Sequence, residues 1–110
     1  MKHKEIVMAK DFSEFPFGRH KADGTKTAEH FIELLSPALK EYDVVTVVLD
    51  GVFGFGSSFL EEAFGGLVKK GFSKSELKSS LNIVSEDEEY LISEIWGYIE
   101  NRFSNEDQAG

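Results

Sequence analysis

The sequence predicts one α/β domain: a small mixed β-sheet packed with helices, in the order β-β-α-β-α-α-β-α. Three observations predict it. Val44, Val45, Val47, Val48 and Leu49 form a short β-branched run bounded by Asp43 and Asp50, the pattern of a central strand covered on both faces. A glycine-rich turn, Gly51-Val-Phe-Gly54-Phe-Gly56, follows it. Then Phe59, Leu60, Ala63, Phe64, Leu67 and Val68 recur at helical spacing. They place one helix face against the sheet.

Taken in order, Lys4 to Lys10 reads as the first strand, centred on Ile6, Val7 and Met8. Phe15 to His20 reads as a second, edge strand, because Pro16 cannot donate to a ladder. The polar loop from Lys21 to Thr27 contains an Asp-Gly turn signal. Thr25 or Thr27 can cap the first helix, whose stripe is Phe31, Leu34, Leu35 and Leu39. Pro37 is expected to end or kink it near Ser36. In the second main helix, Ser58-Phe-Leu-Glu61 fits a capping box. Gly65 and Gly66 each cost that helix about 1 kcal/mol relative to alanine, so a close approach to the sheet is expected there, with a helix break as the alternative. Ser73-Lys-Ser-Glu76 opens a short helix to about Ser80, Leu81 to Val84 is the last strand, and Ser85-Glu-Asp-Glu88 is a third capping box. The final helix turns Leu91, Ile92, Ile95, Trp96, Ile99 and Phe103 inward, with Glu86 to Glu89 in its first turn. Residues 1–103 form the domain and 104–110 a polar tail expected to be disordered.

Composition narrows the function classes. The chain has 110 residues, no cysteine and a net charge of −8. Seven basic and nine acidic side chains in residues 1–50 leave −2 there and −6 beyond. Disulfides and thiolate metal sites are excluded, and general nucleic-acid binding is disfavoured. No apolar run reaches the roughly 18 residues that span a bilayer. The N-terminal Met-Lys-His-Lys-Glu precedes no signal-peptide core. A cytoplasmic protein that does not engage membranes is expected.

The motif Phe15-Pro16-Phe17-Gly18-Arg19, Asp23-Gly24, Val47 to Gly51 and above all Gly56 to Val68 resemble the STAS-like domains of unknown function of bacterial and phage proteomes. The likeness extends through Ile83 to Ser85 and Ile95-Trp96, so it covers most of the chain. It implies the fold of anti-sigma-factor antagonists, in which a serine at the start of the second helix is phosphorylated by a histidine-kinase-like ATPase. Their motif is Asp-Ser-Ser/Thr-Gly; this chain has Gly56-Ser57-Ser58-Phe59 in its place.

The candidate site is therefore the turn and the helix start. Ser58, and after it Ser57, is a phospho-acceptor or partner contact; the alternative is an N-cap beside its neighbour. Phe53, Phe55, Gly56 and Glu62 complete the partner surface. Arg19, Lys21 and Lys26 form the chain's one basic cluster and a possible anion pocket, which carries the alternative reading of a small-anion or nucleotide sensor. No nucleotide motif survives: Ser57 stands where a phosphate-binding loop needs Lys, and Phe59 where a dinucleotide fingerprint needs Gly. Three histidines lack metal-ligand spacing, and no nucleophile–base constellation is present. A non-enzymatic regulatory or interaction module, with no cofactor or metal, is expected.

Overall fold

The computed structural model describes residues 1–109, with side chains described through 105. Three strands, β1 (His3–Val7), β2 (Val44–Val48) and β3 (Leu81–Val84), form a parallel sheet in the order β1-β2-β3. Four α-helices accompany them: α1 (Ala28–Glu41), α2 (Ser57–Lys69), α3 (Lys74–Ser80) and α4 (Tyr90–Ala109). Of the expected tail, Gly110 lies outside the described residues. The α/β class and the order of the elements from α1 onward follow the sequence reading.

The second expected strand does not form, which is why the sheet is parallel and not mixed. Phe15–His20 is a loop with Pro16 buried. It joins no ladder. Phe17 N donates to Lys26 O at 3.0 Å, and Gly18 and Arg19 carbonyls accept from Ala28 and Glu29 at the start of α1. Gly18 turns the chain at φ 88°. The first strand also stops early, at Val7. A π-helical turn, Met8–Phe12, replaces its second half, closed by Asp11 accepting from Val7 N at 2.7 Å.

One sheet face is the core. Ile6, Val47 and Ile83 lie side by side across the three strands, with Val45 and Leu81 in the next row. They pack with Phe31, Phe59, Phe64, Leu60 and Ile95 in one buried cluster. The opposite face carries Val7, Val48 and Val84 in one row and Glu5, Thr46 and Asn82 in the next, all half-exposed or exposed. The double covering expected of the valine run is thus absent; its even-numbered members are screened only in part.

Helix ends follow local chemistry. Thr27 caps α1, its hydroxyl accepting from His30 N and His30 answering it. The helix runs past Pro37 to Glu41 without ending, because Pro37 sits on the exposed face. Ser73 and Glu76 form the expected capping box of α3. Ser85 accepts from Glu88 N at 3.1 Å, but α4 starts only at Tyr90, so the acids 86–89 precede its first turn. Asp50 orders that segment, accepting from Glu86 N and Asp87 N at 3.0 Å and from the Ser85 hydroxyl at 3.4 Å. Those backbone amides hold the Asp50 carboxyl below its usual range.

Gly51 opens the turn after β2 at φ 86°, and an added Cβ would stand 3.1 Å from that of Ala9. Left-handed backbone disfavours L side chains. Gly51→Ala is expected to lower stability by about 1–2 kcal/mol. Urea unfolding with an unchanged m-value is the check.

Candidate functional site

The site lies beyond the C-terminal end of β2, where open α/β sheets commonly meet ligands and partners. The turn 51–56 lifts Phe53 out of the core. Phe53 N donates to Glu14 O at 3.0 Å, which pins the turn to the loop before α1. The rings of Phe15 and Phe53 stack with centroids 4.6 Å apart and planes 8° from parallel. They are 66% and 75% exposed, and Phe17 is 72% exposed. Phe55 is different: it is half-buried, its ring 6.1 Å from that of the buried Phe59.

Gly56, in extended backbone, is the N-cap of α2, so Ser57 and Ser58 occupy the first two helical positions. The expected Ser58–Glu61 capping box is not formed. Both hydroxyls are exposed, and neither has a hydrogen-bond partner among the described residues. They line a cleft of about 510 Å³ with Phe17, Gly18, Arg19 and Asp23 on its other wall.

Glu61 fails to cap because two guanidinium groups hold it. Arg19 Nη1 and Arg102 Nη2 both donate to its Oε1, and Arg102 Nε donates to Oε2. Arg102 Nη2 also donates to Glu62 at 3.0 Å, and Arg19 lies 3.6 Å from Glu62. The cluster ties the loop before α1 to α2 and α4. Glu61 is held below the usual carboxylate range, first by the Arg102 hydrogen bond, against the opposing effect of burial and with Arg19 adding to it. Arg102 is raised by the same bond.

The cluster also explains Gly65. A Cβ there would stand 3.0 Å from both Arg102 Cγ and Glu61 Oε2. At Gly66 it would stand 2.8 Å from Ile32 Cδ1 of α1. The two glycines admit side chains from α4 and α1, where a close approach to the sheet was expected.

The remaining site residues separate. Glu62 faces the ion cluster and a second cleft of about 400 Å³ between α1 and α2, away from the stacked rings. Lys21 lies in that second cleft, paired with Glu33 at 2.8 Å. Lys26 sits over the Phe12 ring, 5.3 Å from its centroid. Arg19 alone of the basic trio lines the serine cleft. Among the described residues, no group of three or more His, Cys, Asp or Glu could hold a metal, and no helix is long and apolar enough to cross a membrane. Sequence reasoning missed Arg102, although Ile95, Ile99 and Arg102 continue one inward stripe at i, i+4 and i+7. It also missed the exposure of Phe15 and Phe17.

A family model described as a STAS-like domain of unknown function (DUF4325) matches residues 27–91. The chain belongs to this family. The match runs from the cap of α1 into the start of α4, and so includes β2, the glycine turn and the whole of α2. Phe15, Phe17 and Arg19 fall outside it, as does Arg102. In this STAS-like domain, one wall of the serine cleft therefore belongs to the matched region and the other to the segment before it. No curated protein and no solved structure matches the chain.

Proposed function

We propose that this STAS-like domain is a non-catalytic, cytoplasmic interaction module whose working surface is the Phe15–Phe53 stack, Phe17 and the start of α2. Its partner is a protein, a histidine-kinase-like ATPase or a related regulator, and Ser58 is the switch. One observation carries the reading: the exposed Phe17 lines a cleft with two serine hydroxyls that bond nothing among the described residues, and the flanking segments expose the stacked rings of Phe15 and Phe53. Single exposed apolar residues are ordinary, whereas two large rings stacked on each other and left exposed are the kind of surface that partners cover. Aromatic side chains are also over-represented among the residues that dominate binding energy. The anion-sensor reading gains nothing comparable, since Lys21 and Lys26 are engaged elsewhere.

Affinity capture from the native host tests the proposal, with wild type, Phe53→Ser and Ser58→Glu compared and bound proteins identified by mass. A stoichiometric ATPase or regulator is expected with wild type. Phe53→Ser is expected to weaken its capture about tenfold or more, while stability stays within about 0.5 kcal/mol of wild type, as for an exposed position. Identical capture by wild type and both folded variants would refute the surface and the switch together.

A further inference from the structure

Arg19 is placed unlike the other cations around α2. Its guanidinium bonds Glu61, yet Arg102 already donates to both oxygens of Glu61 and to Glu62. Withdrawing Arg19 therefore leaves each carboxylate with a charged donor. The Arg19 backbone is fixed independently of its side chain, since its carbonyl accepts from Glu29 N at 3.1 Å and that of Gly18 from Ala28 N at 2.9 Å. The side chain is 37% exposed and lines the same cleft as Ser57 and Ser58. Ser58 precedes Glu61 by three residues, on the same helix face and about 5 Å along the axis.

We infer that Arg19 is the receiving cation for a phosphoryl group on Ser58. This deepens the switch reading given above and rests on it. The partner's nucleoside triphosphate supplies the group: the bond from its terminal phosphorus to the bridging oxygen breaks, a bond to Ser58 Oγ forms, the hydroxyl proton goes to solvent, and the nucleoside diphosphate leaves. The product carries close to two negative charges at neutral pH and three acceptor oxygens. Glu61 offers Arg19 one oxygen, already shared with Arg102. An arginine fork matches a phosphate better than half of a shared carboxylate. Modification thus swings Arg19 from Glu61 toward Ser58 and reshapes the cleft wall beside Phe17, while Arg102 keeps α2 fastened to α4. Asp23, on the same wall, opposes the added charge. It does so whichever residue stands at 19, so a comparison at that position cancels it.

The test installs phosphoserine at position 58 during translation, in the full chain, with Arg19, Arg19→Lys or Arg19→Gln. Phosphorus-31 shifts followed through a pH titration read the second ionisation of the phosphate. The midpoint is expected lower by about half a unit or more with Arg19 than with Arg19→Gln, and intermediate with Arg19→Lys. Equal midpoints in folded proteins would overturn the inference. So would a lowered midpoint for phosphoserine at 57 and none at 58. Because the phosphate is installed directly, the result does not depend on modification by the host. Mass analysis of the protein from its host tests that separately, so loss of one reading is distinguishable from loss of the other.

Discussion

Phe59→Ala is expected to remove about 3–5 kcal/mol, the cost of emptying a fully buried aromatic position. Phe59 is 1% exposed and lies at the centre of the aromatic core. Its ring centroid is 6.1, 6.2 and 6.4 Å from those of Phe55, Phe12 and Phe31. Those neighbours come from the turn, the segment after β1 and α1, so no single movement can fill the space. A domain of this size has about 5–15 kcal/mol in hand. The variant should therefore unfold at a much lower urea concentration with an unchanged slope. A loss below about 1 kcal/mol would mean that the core collapses around the site. The comparison with Phe53→Ser is instructive. Two phenylalanines six residues apart have opposite roles, one holding the helix start in place and the other presenting a surface beside it.

How far the sequence foretold this arrangement depends on the range of the forces involved. The boundaries of β2, α3 and β3 come from local signals: a β-branched run between acids, and a Ser-x-x-Glu box ahead of a short polar helix. The structure keeps all three. The α2 stripe is kept as well, but its frame begins at Ser57 because Glu61 bonds Arg102, 41 residues away. A capping box is read from four residues, and a competing partner outside that window is invisible to it. The end of α1 expected at Pro37 is absent for a related reason. A proline is tolerated on the outer face of a helix, and a one-dimensional reading does not say which face is outer until the stripe is fixed against a partner.

The loop from Phe15 to His20 is the larger error. Alternating phenylalanines around a proline look like an edge strand, and rings so apolar read as core and not as surface. That loop supplies two of the three exposed phenylalanine rings and the arginine that lines the serine cleft. The open sheet face has the same origin: a run such as Val44 to Val48 reads alike whether one or both faces are covered, since its sheet neighbours screen the second face in part. The position of the two serines was legible from the turn and helix pattern. The wall opposite them was not, because it depends on how a loop packs against a helix about forty residues further on.

Glu61→Ala is expected to destabilise the domain by about 2–3 kcal/mol, since it removes the acceptor that Arg19 and Arg102 share in a half-buried setting. Glu62 then faces both guanidinium groups alone. The pH dependence supplies the sharper test. The folded-state pKa of Glu61 is depressed relative to an unfolded value of about 4.3. Its contribution is therefore complete above that value and disappears as pH falls through the folded pKa. The stability gap between wild type and Glu61→Gln should be constant from about pH 6 to 8 and close below about pH 4. Asp50, Glu33, Glu76 and Glu100 shift in the same direction, so wild type loses stability in acid for several reasons. The difference between the two proteins isolates Glu61. A gap that persists unchanged into acid would assign the loss to packing along α2. A gap that closes would assign it to the charge, and would make the carboxylate between two arginines the element that fastens the cleft loop, α2 and α4 together.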